Sequence, residues 1–337
     1  MASRVAILFE TGAVGSNGTG RLGQCPRLGQ QSGKLRDMAI TFEEGRPFGT
    51  LLTALVTPFH EDGSMDIESA VQLAKRLVDA GNDGLVLNGT TGESPTTHAP
   101  EKAELVAAVV EAVGDRAVVV AGAGSNDTEH AVRMAEQAAE AGAHGLLVVT
   151  PYYSRPSQRG IVAHTRAIAD STDLPVMLYD IPGRTGVRIS AQSYDELAGH
   201  DKVVAVKDAT GDVGAAAELI ANTGLAWYSG DDGLFLPFLS VGAVGLVSVT
   251  AHLAAAEFKA VAQAFDSGAN ALAREHAAGL IPLINAIMGS GAGAVLVKAA
   301  LAELGHIESS AMRLPQVRAD QAETAAVRSA LQAHGLL

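Results

Sequence analysis

Residues 51–59 read Leu-Leu-Thr-Ala-Leu-Val-Thr-Pro-Phe. Leu51–Val56 is a short apolar run of strand length, ended by a threonine and a proline. A strand of this kind opens an α/β fold. An open, doubly wound sheet would place a glycine-rich phosphate turn directly after it. Here Thr57-Pro58-Phe59 follows instead, so the open sheet becomes the second choice behind a closed barrel.

Seven more strand candidates lie downstream: Gly84–Asn88, Ala117–Ala121, Gly145–Thr150, Pro175–Asp180, Val203–Val206, Leu225–Ser229 and Val244–Ser248. Their starts fall about 20–33 residues apart, one strand–helix unit each. Helices are expected between them at Asp66–Ala80, Pro100–Val113, Thr128–Ala141, Ser157–Ala169, Ser190–Ala198, Asp212–Asn222, Asp232–Val241 and Ala254–Phe265. Asp66–Ala80 carries Ile67, Ala70, Val71, Ala74, Leu77 and Val78 on one helical face. Gly81, Gly114, Gly142, Gly199, Gly224 and Gly242 stand where left-handed helix caps are expected. Eight such units predict a (β/α)8 TIM barrel over 46–268. The pattern then turns purely helical, at about 271–288, 294–304 and 318–334, which predicts a C-terminal helical extension over 269–337.

Residues 1–45 differ. The first 37 hold seven glycines, five basic residues and two acids without periodicity, and are expected to be a disordered lead-in. Met38 is the expected natural start, with the residues before it an artefact of translation or annotation. Val5–Phe9 is too short for a signal core, and no stretch of 18 uncharged apolar residues occurs, so no membrane span is expected.

The chain has 337 residues and a net charge of −13, which disfavours a nucleic-acid partner. Its one cysteine, Cys25, excludes an intrachain disulfide and fits a reducing compartment. Apolar residues make up 47% and aromatics only 4%, so Ala, Val, Leu and Gly must build the core. No two of the ten histidines lie within five residues, and no GxSxG or Walker A motif occurs; no metal is expected.

Active groups of a barrel sit at the C-terminal strand ends. Lys207 follows the apolar run Val203–Val206. Desolvation there lowers an amine's pKa and makes it a nucleophile able to form a Schiff base. Strand position alone leaves open a lysine snorkelling to solvent. Tyr179, one strand over, is either a proton shuttle or a core aromatic. Thr90 and Thr91, between Gly89 and Gly92, form either a carboxylate nest or an ordinary turn. Arg184, flanked by Gly183 and Thr185-Gly186, is either a bidentate carboxylate ligand or a solvated arginine.

Taken together, GTTGESPTT (89–97), VTPYYSRPSQ (149–158), LYDIPGRTG (178–186), VAVKDATGD (204–212) and SGDD (229–232) resemble the pyruvate-dependent class I aldolase/lyase family of (β/α)8 barrels. The likeness is greatest to its dihydrodipicolinate synthase branch in the actinobacterial form, and it runs from about Phe48 to Leu337. The resemblance implies a cytoplasmic lyase of lysine and diaminopimelate biosynthesis with no cofactor beyond the lysine Schiff base. Its substrates would be pyruvate and L-aspartate 4-semialdehyde, and its product 4-hydroxy-tetrahydrodipicolinate. It further implies that Lys207 condenses with pyruvate and that Thr90 and Thr91 hold its carboxylate, Thr91 also linking two tyrosines. Tyr179 would be the general acid/base, and Tyr153 would be inserted by a neighbouring subunit. Arg184 would receive the aldehyde's carboxylate, and Gly230 and Val247 would line the pyruvate pocket. A homotetramer, a dimer of dimers, follows from the same resemblance.

Asp180 and Asp208 replace the Asn and Glu of many relatives. Ser94, Asn126 and Tyr152 keep the pattern of a lysine-inhibited regulatory site, but Ala99, Lys102 and His130 replace its two histidines and glutamate. Two basic groups there should repel a lysine ammonium, so weak or absent feedback inhibition is expected. Sibling aldolases such as N-acetylneuraminate lyase or 2-keto-3-deoxy-sugar aldolases share the lysine and tyrosine, and Arg184 argues against them. A non-catalytic keto-acid sensor is the remaining alternative.

Overall fold

In the computed structural model, residues 45–289 and 293–337 are described. The lead-in, Met38, Cys25 and most of the 289–293 glycine cluster lie outside them. Eight strands form a closed parallel barrel in sequence order: β1 (Leu51–Ala54), β2 (Gly84–Leu87), β3 (Val118–Gly122), β4 (Gly145–Val149), β5 (Val176–Asp180), β6 (Val203–Asp208), β7 (Ala226–Ser229) and β8 (Gly245–Ser248). β8 closes on β1 with Leu52 opposite Val247. The fold is the (β/α)8 barrel the sequence predicts. β6 runs two residues past the expected end, so Lys207 is inside the strand and not after it.

The helices are α1 (Ile67–Asp79), α2 (Ala99–Val113), α3 (Thr128–Glu140), α4 (Gln158–Asp170), α5 (Pro182–Thr185), α6 (Ala191–Ala198), α7 (Val213–Thr223), α8 (Phe235–Ser240) and α9 (Ala251–Asp266). After the barrel come α10 (Asn270–Met288), α11 (Gly293–Glu303) and α12 (Gln321–Ala333). Side chains of Asp66, Asp127, Ser157, Ser190 and Asp212 cap the N-termini of α1, α3, α4, α6 and α7, satisfying backbone donors that each helix leaves free. No single helix among the described residues is long and apolar enough to cross a membrane.

Three expectations fail locally. Gly81, Gly142, Gly224 and Gly242 have positive φ, but Gly114 and Gly199 cap right-handed at φ −65 and −70. At Gly114 the demand is close approach instead, since a Cβ would stand 2.5 Å from the Val110 carbonyl oxygen. The helix expected at Asp232–Val241 is a three-residue 3-10 turn followed by the shorter α8. The expected start of the next helix, Ala254, is a kink within α9, at φ −137.

Strand side chains alternate between two cores. The outward set packs under the helices, with Leu73, Leu77, Val109 and Leu197 buried from the helical side. Each such burial contributes about 1.5–3 kcal/mol relative to exposure. The inward set, including Phe48, Leu52, Val86, Val120, Met177 and Tyr228, fills the barrel. Inward glycines make room for the few aromatics. A Cβ on Gly145 would meet the Phe48 ring at 2.6 Å, and one on Gly245 would meet the Tyr228 ring at 2.8 Å. The Tyr228 hydroxyl donates to the Gly49 carbonyl and accepts from the Phe48 amide, closing the floor. Above this floor the inward positions of β5 and β6 are Tyr179 and Lys207.

Candidate active site

Tyr179 and Lys207 are register partners on neighbouring strands, so both point into the barrel at one height. The lysine is 6% exposed and its Nζ lies 4.4 Å from the centre of the Tyr179 ring. Burial lowers its pKa from 10.5 to about 8; Asp232 opposes this and Arg184 adds to it. The amine is thus far more readily deprotonated than a surface lysine. Burial raises the Tyr179 phenol, with a Thr90 hydrogen bond and the Arg184 charge pulling it back. A phenol so placed stays protonated at neutral pH and can pass a proton to and from a neighbouring oxygen or nitrogen.

A cavity of about 250 Å³ opens beside this pair. Tyr179, Thr90 and Arg184 line it, with Asn88, Ser94 and Tyr152. Three of the predicted site residues therefore face one space, and Tyr179 joins it to Lys207. Arg184 is carried by α5, a single turn that is not among the helices expected from the sequence. Pro182 starts it and Gly186, at φ +75, ends it.

Thr91 is buried beside Thr90, but among the described residues its hydroxyl has no hydrogen-bond partner. Thr90 is the one bonded to Tyr179. Gly230 donates its amide to the Asp208 carbonyl, where a Cβ would stand 3.0 Å from the same oxygen. Val247 is buried in the inward core of β8. Neither lines the 250 Å³ cavity. Tyr153 stands apart, 90% exposed at φ +68, a conformation rare for a residue with a side chain.

Acidic residues support the site from behind. Asp180 accepts from the Tyr194 hydroxyl and the Ile189 amide, and burial raises its pKa to about 6. Asp208 accepts from the Trp227 indole. Asp232, the last residue of the SGDD stretch, is buried. It accepts from the Thr250 amide and the Ser248 hydroxyl, joining the β7 and β8 exits, and burial raises its pKa. Its place beside the strand-seven exit was visible; its burial was not.

Among the described residues, His60, Asp66 and Glu308 bring ligand-type atoms within 4.8 Å of one another. Two of the three are exposed, Asp66 is occupied in capping α1, and the cluster carries no metal assignment.

The chain is similar to known proteins. The model of the family described as "Dihydrodipicolinate synthetase family" matches residues 47–334. The 4-hydroxy-tetrahydrodipicolinate synthase of Bifidobacterium longum (strain NCC 2705) is 54% identical over 294 residues, 87% of this chain and 97% of that protein. Streptomyces coelicolor 4-hydroxy-tetrahydrodipicolinate synthase 2 is 52% identical over 299 residues, 89% and 99% of the two chains. A crystal structure of the enzyme from Cyanidioschyzon merolae with lysine bound superposes with a TM-score of 0.84 at 41% identity, covering 86% of this chain and 99% of that one. A closed barrel with a buried lysine amine beside a tyrosine, matched along nearly its whole described length, places this chain in the dihydrodipicolinate synthetase family.

Proposed function

We propose that Lys207 carries the chemistry of the family reaction. The chain is a lyase of lysine biosynthesis that condenses pyruvate with L-aspartate 4-semialdehyde to 4-hydroxy-tetrahydrodipicolinate. The neutral Lys207 amine attacks the pyruvate ketone carbon, and Tyr179 delivers the proton with which the carbinolamine loses water. Thr90 and Thr91 hold the pyruvate carboxylate. Loss of a methyl proton from the imine gives the enamine, whose carbon adds to the aldehyde of the second substrate. Arg184 receives that substrate's carboxylate. The substrate amine then displaces Lys207 as the ring closes. Gly230 and Val247 shape the far wall of the pyruvate site. This route needs no metal or organic cofactor.

One observation supports this reading above the others: an amine with its pKa lowered to about 8, 4.4 Å from the centre of a buried tyrosine ring at the mouth of the barrel. Tyr153 completes the proton relay from a second subunit. Its outward position and positive φ support that role, which requires at least a dimer; the family resemblance extends this to a homotetramer built as a dimer of dimers. The cytoplasm is the proposed compartment. The division of the chain at 268 into barrel and helical domain is likewise proposed.

Borohydride reduction with pyruvate should add one pyruvate-derived mass to Lys207. A coupled assay should show turnover with L-aspartate 4-semialdehyde and little with sugar-derived aldehydes. An unmodified Lys207, or preference for a sugar aldehyde, overturns the assignment.

A further inference from the structure

The loop bearing Thr90 and Thr91 is fixed at both ends. On one side Gly92 packs against the segment leaving β1: its carbonyl accepts from the Thr57 hydroxyl at 2.8 Å, and a Cβ there would stand 3.0 Å from the Leu55 carbonyl oxygen. On the other side is Glu93, whose amide donates to the Thr90 carbonyl and closes the turn. Glu93 is left-handed, at φ 55 and ψ 41. A side-chain-bearing residue stays in that region where its surroundings hold it.

Those surroundings come from beyond the barrel. The Glu93 carboxylate pairs with Lys298 of α11 through one oxygen and accepts the Arg313 amide at 3.0 Å through the other. Lys298 is wholly buried and Glu93 nearly so. The Lys298 ammonium also donates to the Ala311 carbonyl at 2.9 Å and sits 4.2 Å above the Phe59 ring. Arg313 covers the other edge. It lies 4.4 Å from the same ring, donates to the Gly63 and Thr96 carbonyls, and forks onto Glu101. A buried ion pair is a costly way to hold a fold together, since apolar residues of similar size do so as well or better. What it supplies is a fixed direction, and here the direction is set on the residue that closes the Thr90 turn.

We infer that Glu93 and Lys298 are positioning residues, through which the C-terminal helices hold the Thr90–Thr91 loop in the geometry that binds the pyruvate carboxylate. The inference rests on the proposed carboxylate role of that loop. Neither side chain touches the reacting atoms; they act through the turn.

The test compares two ketones in borohydride trapping of Lys207. Pyruvate has the carboxylate that the loop should hold; acetone lacks it. In Glu93→Gln and in Lys298→Met, half-saturation by pyruvate should rise tenfold or more. The second-order rate of acetone trapping should stay within twofold of the unsubstituted enzyme, and so should KM for the aldehyde. Because either single variant leaves one buried charge unpaired and can fail to fold, the pair Glu93→Gln/Lys298→Met removes both charges and carries the same expectation. Unchanged pyruvate half-saturation in a folded variant overturns the inference. So does a parallel fall in pyruvate and acetone trapping, which a merely structural role would produce. If the unsubstituted enzyme yields no adduct with either ketone, the Schiff-base reading falls first and takes the inference with it.

Discussion

The most exacting prediction concerns how the Lys207 adduct forms as pH changes. An amine with a pKa of about 8 is neutral in about one molecule in ten at pH 7, against about one in 3,000 for an ordinary lysine at 10.5. Burial thus makes about 300 times more nucleophile available at neutral pH. The initial rate of borohydride-trapped pyruvate adduct should climb about tenfold per pH unit between 6 and 7.5 and level off above about 8.5. Two charges then move the inflection in opposite senses. Asp232 favours the ammonium, so Asp232→Asn should shift the inflection to lower pH. Arg184 disfavours it, so Arg184→Ala should shift it higher. Because the trap uses pyruvate alone, the aldehyde-binding role of Arg184 does not enter. Intact-mass spectrometry across pH 6–10 gives the profile. A flat profile, a rise continuing past pH 10, or both variants shifting the same way would refute the electrostatic account.

Three further outcomes are expected. Asp180 is buried and its pKa is raised to about 6, so the folded state binds its proton more tightly than the unfolded chain does; the stabilisation from that proton is full below about pH 4 and lost as pH rises through about 6. Asp180→Asn should therefore gain up to about 2–3 kcal/mol relative to the unsubstituted protein at pH 8 and nothing at pH 4, as denaturant titrations at the two pH values would read. Lysine at several millimolar should leave the rate nearly unchanged, because the Lys102 ammonium, bonded to Ser94 at 3.1 Å, puts like charge at a position that the family resemblance gives to the regulatory site; half-inhibition below one millimolar contradicts this. Tyr153→Phe should lower kcat by about a hundredfold with no change in melting temperature, the scale of a lost general acid–base group, and sedimentation should find at least a dimer; a fully active monomer refutes the shared site.

What could be read from the chain was whatever depends on neighbours in sequence. The eight strands stand out because buried parallel strands are short apolar runs, and Lys207 is visible as the one basic residue terminating such a run. Arg184 stands out between glycines as a candidate carboxylate ligand, but its helix does not, since four residues carry no periodicity. The caps at Gly114 and Gly199 were misread because a glycine after a helix announces conformational freedom without saying whether the chain uses it. Glu93 and Lys298 were invisible as a pair. Separated by 205 residues, each reads as an ordinary surface charge until the fold buries both.

That separation has a consequence for synthesis on the ribosome. A nascent chain holds all eight strands once Ser248 has emerged, and the barrel can close. The partners of Glu93 arrive only with Lys298 and Arg313, so the enzyme assembles its scaffold well before it finishes its mouth. A message truncated between those points would yield a barrel with the lysine nucleophile in place and its anchoring loop untethered.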